Sequence, residues 1–389
     1  MRKAAALFLL AGLMAGMLAA CGGQESGKNA QTEAVSAVSE QTASDSAESE
    51  AVTSEESQLT AAASEASLEA KLDLPEVDML DSKTVMLKVE GDDYPLTVTD
   101  ALGNVTVLEK KPERVAVVSG TLLNIWYQLG GDSVCSSDIS SNLILFRERS
   151  EEMLAIPRAG AVYQLNLEAV MAQKPDLIIT QTGVQTTAAA KLKEMGFTVI
   201  ETNAKTVEHL CQVYEGFGKI LGNTEEAESY IKGLYGSLAD IQEKVPDTHP
   251  TCVILYVTNS SVSVKLDSSI AGDIAYMLGL SNIASGLPAD TLGSENTPLD
   301  IEYIVQKNPD LLMVTSMVSD NEKARDMVNT MFSENPAWST VRAVKEGHVI
   351  YLPQQYYLYN AGPYYKDAVM YMAQSVYPEV FGEPADVIE

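Results

Sequence analysis

The chain has 389 residues, which is enough for two compact domains and additional segments. Its hydrophobic content of 46% is ordinary for a globular protein, and its net charge of −28 argues against a nucleic-acid ligand, because phosphates would be repelled. The three histidines lie far apart in the sequence and the four cysteines include no Cys-x-x-Cys pair. We therefore expect neither a resident metal nor a redox motif.

The first 21 residues have the layout of a lipoprotein signal. Arg2 and Lys3 precede an apolar run over residues 4–20, which is typical of a secretory signal and short for a membrane span. The run ends in Leu-Ala-Ala-Cys-Gly, which resembles the bacterial lipoprotein box, in which the cysteine is lipidated. We predict a signal peptide over residues 1–21 and lipid on Cys21; an ordinary secretory signal is the alternative. The other three cysteines are expected to be buried thiols, without a disulfide.

Residues 22–88 are predicted to form a disordered acidic tether. Residues 22–80 hold 13 acidic and 2 basic residues, many Ser and Ala, and no aromatic residue. Such a segment cannot bury enough apolar surface to offset its chain entropy.

Strands and helices alternate over residues 89–222, which predicts a lobe with a mostly parallel sheet. Residues 94–107 have the pattern of a hairpin, Val115–Val118 that of a buried parallel strand, and Ser133–Cys135 that of another short strand. Ser119 and Thr121 open the helix after the buried strand, and Trp126 in that helix is expected in the core. A strand end that leads into a helix is the usual ligand-facing position of such a sheet.

A sixteen-residue pattern occurs twice, 134 residues apart, at residues 165–180 and 299–314. Each copy reads as a helix cap, two apolar helical turns, a Pro-Asp break and a short buried strand. Glu168 and Glu302 stand two positions after the caps, where the positive end of the helix dipole favours a carboxylate. The repeat predicts two lobes of similar build, each with one exposed carboxylate.

The chain between these lobes is predicted to be helical. Asn223 is a candidate cap with Glu226 three positions later, and the helical pattern continues until Val245 and Pro246. We predict a helix over residues 223–245 and a second α/β lobe over residues 246–389.

Five tyrosines lie within the twelve residues 354–365. Tyrosine offers a flat apolar face and a hydroxyl, which suit a large, partly polar, planar ligand. Core packing is the alternative, and we favour it for Tyr364 and Tyr365.

Several motifs in chain order carry a family resemblance. The segments Thr97–Gly103, Lys111–Val115 and Asn166–Ile178 resemble the class III periplasmic binding proteins, which are the substrate-binding lipoproteins of ABC importers for iron-siderophores, haem and vitamin B12. The resemblance extends from about residue 94 to residue 377. It implies an α/β fold with two Rossmann-like lobes, mostly parallel sheets, one long rigid helix joining the lobes and a ligand cleft between them.

The resemblance also implies a function. The chain would be a monomer without enzymatic activity or cofactor, anchored by lipid on the outer (extracellular or periplasmic) face of the cytoplasmic membrane. It would capture an iron complex, haem or a cobalamin-type ligand, with any iron or cobalt inside the ligand, and deliver it to a permease coupled to an ATPase. Glu168 and Glu302 would dock on arginines of the permease; support of the helix dipole alone is the alternative.

We expect the cleft to be lined mainly by loops that follow the strands. The predicted ligand-binding residues are Ser119, Thr121, Arg147, Tyr163, Gln181, Gln185, Asn259, Lys265, Thr315, Ser316, Gln354, Tyr356, Tyr357, Tyr359 and Asn360. Arg147 and Lys265 are candidates for holding an anionic group, although a solvated surface cation is an equal alternative for each.

Two other classes of function stay open. A lipid-anchored receptor or adhesin could use the same bilobed fold for a smaller ligand, and a hydrolase could use the same scaffold. The hydrolase is less favoured, because the sequence has no Gly-x-Ser-x-Gly elbow, phosphate loop or His-Glu-x-x-His motif.

Overall fold

The structure is a computed structural model that describes residues 72–80, 84–291, 293–318, 321–359, 362–384 and 387. All of these residues belong to one compact unit, Ala63–Glu389. The predicted signal peptide, Cys21 and residues 22–71 of the predicted tether lie outside the described residues. Within the described ranges, no helix has both the length and the apolar character needed to cross a membrane.

The described residues form twelve β-strands and thirteen α-helices. The strands are β1 (Leu87–Glu90), β2 (Leu96–Asp100), β3 (Val105–Leu108), β4 (Val115–Val117), β5 (Leu177–Gln181), β6 (Val199–Thr202), β7 (Thr251–Val257), β8 (Val262–Lys265), β9 (Ser281–Asn282), β10 (Asn296–Pro298), β11 (Leu311–Ser316) and β12 (Val349–Tyr351). The α-helices are α1 (Gly120–Gln128), α2 (Ser150–Ala155), α3 (Leu167–Ala172), α4 (Thr186–Glu194), α5 (Val207–Leu221), α6 (Thr224–Gln242), α7 (Ile270–Met277), α8 (Ile301–Lys307), α9 (Asn321–Glu334), α10 (Arg342–Glu346), α11 (Gln354–Tyr357), α12 (Tyr365–Val376) and α13 (Pro378–Phe381).

The strands are arranged in three sheets. The antiparallel sheet β1-β2-β3 contains the predicted hairpin as β2 and β3. The first parallel sheet has the order β4-β5-β6. The third sheet has six strands, in the order β10-β8-β7-β11-β12 with β9 also paired with β7; β7, β9, β11 and β12 are parallel, whereas β8 and β10 are antiparallel additions. The two sheets that contain parallel strands are called the first and second large sheets below. Each large sheet therefore has a run of three neighbouring parallel strands, β4-β5-β6 or β7-β11-β12, whose central member comes from the sequence repeat.

The two repeated helices, α3 and α8, have matching caps. The side chain of Asn166 accepts a hydrogen bond from the backbone N–H of Ala169, and that of Asp300 accepts one from Tyr303. Both segments then turn through a residue with positive φ, at 50° in Lys174 and 49° in Asn308. The two copies of the repeated sequence therefore form the same helix cap and the same turn.

The Pro-Asp breaks of the two copies also make matching contacts. The carboxylate of Asp176 accepts from the backbone N–H groups of Glu113 (2.7 Å) and Arg114 (2.9 Å), just before β4. The carboxylate of Asp310 accepts from both the N–H (2.9 Å) and the hydroxyl (2.7 Å) of Thr251, at the start of β7. In each sheet, this aspartate ties the central strand to the start of a neighbouring strand.

The chain passes from the first parallel sheet to the second through α6. This helix has 19 residues, which corresponds to about 28 Å. Its buried residues recur at helical spacing and pack in a core cluster that contains Leu177 of β5 and Cys252 of β7. Asn223, the predicted cap, instead donates its side-chain amide to the carbonyl of Leu129, 2.7 Å away.

The core contains the residues that the sequence assigned to it. Trp126 is 1% exposed. Cys135, Cys211 and Cys252 are all buried.

The end of the predicted tether requires a correction. Leu72 and Val77 are buried in the core, and the backbone of Asp78 exchanges hydrogen bonds of 2.9 and 2.8 Å with the side-chain amide of Gln242. Leu87 belongs to β1, which pairs with β2. The ordered fold therefore includes residues 72–80 and 84–88, because the scattered apolar residues at the end of this acidic segment find core positions.

The predicted strand at Ser133–Cys135 is also absent. Val134 donates one backbone hydrogen bond to Val115, and the Ser133 hydroxyl accepts from the N–H of Val117. These two bonds hold the segment beside β4 without forming a ladder.

Candidate ligand-binding site

A cavity of about 650 Å³ lies at the carboxyl ends of the two large sheets. From the first sheet it is lined by the segments that follow β4, β5 and β6. From the second it is lined by Tyr256 of β7, Met317 after β11 and the segment around Asn296 of β10. The described lining residues are Ser119, Gly120, Thr121, Ser137, Asp138, Ile139, Ser140, Leu143, Ala161, Val162, Tyr163, Gln181, Thr182, Gly183, Val184, Asn203, Ala204, Lys205, Tyr256, Ile270, Thr291, Gly293, Ser294, Glu295, Asn296, Met317, Leu358 and Tyr359.

The wall formed by the first sheet is a connected set of polar side chains. Ser119 donates its hydroxyl to the side-chain oxygen of Gln181 (2.9 Å), and the amide nitrogen of Gln181 lies 3.4 Å from the side-chain oxygen of Asn203. Asn203 donates in turn to the carbonyl of Thr182 (3.2 Å). One chain of hydrogen bonds therefore links the ends of β4, β5 and β6, which holds these polar groups in place before a ligand arrives.

Gln185 supports this wall from behind. Its side chain is 2% exposed. Its oxygen accepts from the backbone N–H of Gln181 (2.8 Å), and its nitrogen donates to the carbonyls of Val118 (2.6 Å) and Val162 (3.2 Å). Gln185 thus fixes the strand ends, and a ligand in the cavity does not reach it directly.

The opposite wall carries charge. Lys265, at the end of β8, donates to Oε1 of Glu295 at 2.5 Å. Lys205, which follows β6 of the first sheet, forms an ion pair with Oε2 of the same carboxylate at 3.1 Å. Glu295 therefore connects the two sides of the cavity. The ammonium of Lys265 also lies 4.1 Å from the ring centre of Tyr256.

Burial and charge set the protonation of this group. Burial lowers the pKa of Lys265, while Glu295 opposes that effect. Burial by itself would raise the pKa of Glu295, but the charges and hydrogen bonds of the two lysines outweigh it, and the pKa is lowered. The pKa of Tyr256 is raised to about 12, mainly by burial and also by the nearby carboxylate. At neutral pH, the wall thus presents an ionised Glu295 and a protonated Tyr256 phenol.

Five of the predicted ligand-binding residues line the cavity. They are Ser119, Thr121, Tyr163, Gln181 and Tyr359. Tyr163, Tyr256 and Tyr359 come from three separate segments, so the cavity has aromatic surface from both sides.

The structure places a second group of predicted residues inside the fold. Thr315 donates its hydroxyl to the carbonyl of Leu255 (3.0 Å), and the hydroxyl of Ser316 accepts from the N–H of Val318 (2.9 Å). Each of these hydroxyls satisfies backbone beside β11. Neither residue contacts the cavity.

The short helix α11 carries three more predicted residues, and all three are buried. Tyr356 and Tyr357 are each 3% exposed, and Tyr357 donates to the carbonyl of Ala368 in α12 (2.6 Å). Gln354 accepts from the side chain of Asn142 (2.9 Å). The tyrosine-rich stretch is therefore mainly a packing element, and among its described residues Tyr359 is the tyrosine that reaches the cavity. Tyr365 is fully buried as well, in agreement with the core alternative.

The remaining predicted residues lie elsewhere. Arg147 and Asn259 are exposed and outside the cavity lining. Lys265 is buried behind the wall and acts through Glu295. Asn360 lies outside the described residues.

Sequence reasoning missed several lining residues. Asn203 and Lys205 follow β6 and occupy the same edge of the sheet as Gln181, so the rule applied to β4 and β5 would have found them. Asp138 belongs to a loop without a motif, and Glu295 precedes an edge strand whose pairing only the tertiary structure reveals.

Glu168 and Glu302 occupy equivalent places on the surface. Each is exposed in the first turn of its capped helix, α3 or α8. The predicted matching of one exposed carboxylate per repeat is present in the structure.

Two α/β sheets joined through a helix, with a cavity at their carboxyl ends, define a two-lobed binding protein. The periplasmic binding protein family model matches residues 115–356, and the chain belongs to this family. The substrate-binding lipoprotein YvrC of Bacillus subtilis, described as an uncharacterized ABC transporter protein, is 26% identical over 314 residues, which cover 78% of this chain and 92% of the relative.

A second relative and a solved structure extend the comparison. The cobalamin-binding protein of Halobacterium salinarum is 26% identical over 231 residues, which cover 58% of this chain and 60% of that protein. The crystal structure of Staphylococcus aureus IsdE complexed with heme is 18% identical and has a TM-score of 0.60 over 68% of this chain and 98% of that chain. The structural likeness confirms the predicted two-lobed α/β fold.

Proposed function

We propose that the chain is the solute-binding component of an ABC importer. In this role it captures an iron complex, haem or a cobalamin-type ligand and delivers it to a membrane permease. The observation that supports the proposal most strongly is the cavity lined by both sheets at their carboxyl ends, where ligands bind in open α/β folds. The names of the relatives, which include ABC transporter substrate-binding and cobalamin-binding proteins, agree with it.

The cavity has the size and chemistry of a small-molecule site. Its volume of about 650 Å³ lies within the range of about 300–1,000 Å³ that is usual for such sites. Three tyrosines offer flat surfaces, and the Ser119–Gln181–Asn203 chain offers fixed donors and acceptors. We infer that a partly polar ligand with a flat or bulky apolar part fits best.

We further propose that the chain has no enzymatic activity. Ser119, a candidate nucleophile by residue type, donates its hydroxyl to an amide oxygen, which is not a base. The described lining residues include neither His nor Cys. Any iron or cobalt would therefore enter as part of the ligand.

A fluorescence titration of the full chain in detergent tests the proposal. The panel contains haem, cobalamin and ferric catecholate, hydroxamate and citrate chelates, and the protein's tryptophans and tyrosines supply the signal. We expect saturable quenching by one class, at about micromolar concentration or below. The double variant Gln181→Ala, Tyr359→Ala should bind that ligand at least about tenfold more weakly, because both side chains line the cavity. If the wild-type protein saturates with no member of the panel, the proposal is refuted.

We propose that Glu168 and Glu302 dock on the permease. Their matched exposure on two capped helices supports a pair of equivalent contacts, one per lobe. The double variant Glu168→Ala, Glu302→Ala should keep its ligand affinity within about twofold and lose ligand uptake by cells. Glu194→Ala, which removes an exposed glutamate from the end of α4, is the matched control and should transport normally. Normal uptake by the double variant would contradict docking, as would a loss of ligand affinity.

We also propose a lipid anchor on Cys21 that holds the protein on the outer face of the membrane. Cys21→Ser should release the protein from the membrane fraction into the soluble fraction after cell breakage. Retention of this variant in washed membranes would contradict the proposal.

A further inference from the structure

The charged groups at the cavity cancel one another. Among the described lining residues, those that carry a formal charge are Asp138, Lys205 and Glu295. Lys265 lies directly behind them, 5% exposed and bound to Glu295. The formal charges of these two lysines and two carboxylates sum to zero.

Glu295 holds both lysines by using both of its oxygens. Oε1 accepts from Lys265 at 2.5 Å and Oε2 pairs with Lys205 at 3.1 Å. The Tyr256 ring lies 4.1 Å from the ammonium of Lys265. A carboxylate or catecholate group of a ligand could therefore reach these lysines only by displacing Glu295 or by sharing them with it.

Neither alternative favours a polyanionic ligand. Displacing Glu295 would leave a mostly buried carboxylate without its partners, which is costly. Sharing would place several negative charges beside Glu295 and Asp138, in a chain whose net charge is already −28. An uncharged ligand with amide and hydroxyl groups avoids both costs, because the Ser119–Gln181–Asn203 chain can bind such groups.

Building on the proposed function, we propose that the cleft selects a ligand without net negative charge and that Glu295 is the residue that sets this selectivity. It acts as a built-in counter-anion for Lys205 and Lys265. The ligand class that fits is a neutral metal chelate or corrinoid with a polar rim, and the classes that are rejected are tris-catecholate and carboxylate-rich chelates.

The test compares a neutral and a trianionic ligand in the full chain and in two matched variants. Glu295→Gln removes the counter-anion and leaves both lysines in place. Asp138→Asn removes one lining carboxylate that has no lysine partner in the structure. The probes are a neutral ferric trihydroxamate, cyanocobalamin and a trianionic ferric tris-catecholate, each titrated by fluorescence quenching.

In the wild-type protein, at least one neutral probe should bind about tenfold or more tightly than the tris-catecholate. Glu295→Gln should raise the affinity for the tris-catecholate, relative to the affinity for the neutral probes, by about tenfold or more over the wild-type ratio. The gain should shrink in high salt, because it comes from lysine charge that Glu295 no longer neutralises. Asp138→Asn should gain no more than about threefold for the tris-catecholate.

The possible failures are distinct. If the wild-type protein bound the tris-catecholate more tightly than it bound both neutral probes, the inference would be overturned and the proposed function would stand. Equal gains in Glu295→Gln and Asp138→Asn would also overturn it, because the effect would then be general charge and not release of the lysines. Lack of binding by any probe to wild type would refute the proposed function together with the inference. Lys205→Gln keeps the Lys265–Glu295 pair and should weaken tris-catecholate binding further, so the inference remains testable if Glu295→Gln fails to fold.

Discussion

Asp273 links three helices, α5, α7 and α12, through its buried side chain. It lies in the first turn of α7, and one of its carboxyl oxygens accepts from the backbone N–H of Val207 in α5 (2.8 Å) and from the hydroxyl of Tyr365 in α12 (2.9 Å). The side chain is fully buried. Burial raises the pKa of Asp273 from 3.8 to about 7; the two hydrogen bonds oppose this rise, and the charges of Glu208 and Asp267 add to it.

This pKa makes the stability of the fold depend on pH in a defined direction. The folded state holds the proton more tightly than the unfolded state, so the stabilising contribution is complete below about pH 4 and is lost as the pH rises to about 7. The pKa of Asp273 is raised by about three pKa units, and each unit corresponds to about 1.4 kcal/mol of folding free energy. The contribution to stability is therefore about 4 kcal/mol. Other carboxylates change stability over the same range, and a variant at position 273 is needed to separate their effects.

Asp273→Asn provides that separation. Asparagine keeps an oxygen that can accept from Val207 and Tyr365, but it does not ionise. The free energy of unfolding of wild type and of the variant is measured in urea at steps from about pH 4 to about pH 8. The difference, wild type minus variant, should fall by about 4 kcal/mol over this range. A difference that stays constant across this range would refute the assignment of a raised pKa to Asp273.

Two further pairs of substitutions test the packing and the site. Gly272→Ala should destabilise the fold by about 3 kcal/mol, because its Cβ would lie 2.3 Å from the carbonyl oxygen of Leu266, whereas Gly233→Ala, where a Cβ would meet nothing within 4 Å, should stabilise α6 by about 0.5–1 kcal/mol. Urea unfolding measures the change in stability for both substitutions. Equal effects of Gly272→Ala and Gly233→Ala would contradict the close packing at Gly272. Tyr357→Phe should cost about 1 kcal/mol of stability, through loss of its bond to Ala368, and leave ligand affinity unchanged. Tyr359→Ala should weaken ligand binding and leave stability unchanged. A loss of ligand affinity in Tyr357→Phe would instead place Tyr357 at the ligand.

The sequence predicted the architecture well because its strongest signal is a repeat. Both copies carry their own cap, break and central strand, and these local features survive in the structure as matching hydrogen bonds. The ends of β4 and β5 could be assigned to the cleft for a different local reason: a parallel strand followed by a helix directs its last residues to one edge of the sheet.

The rest of the site depends on tertiary contacts that no local pattern encodes. Glu295 becomes important only when β10 pairs with β8 and brings it to Lys265, 30 residues away in the sequence. Tyr356 and Tyr357 resemble ligand contacts by composition, yet the packing of α11 beneath α12 buries them. The composition of the acidic segment likewise failed to predict residues 72–80, where a few apolar side chains pack against the core.

The most direct test of the proposed function is hydrogen exchange with and without the ligand that the fluorescence panel identifies. Binding in the cleft should protect backbone amides on both sides of the cavity: residues 181–185 and 203–205 at the ends of β5 and β6 in the first sheet, and residues 293–296 at the start of β10 in the second. Exchange in the exposed first turns of α3 and α8 should stay unchanged, because those turns lie outside the cavity lining. Protection of both cavity walls by one ligand is the result that we predict. Protection confined to one lobe, or to a surface away from the cavity, would contradict a solute-binding cleft between the lobes.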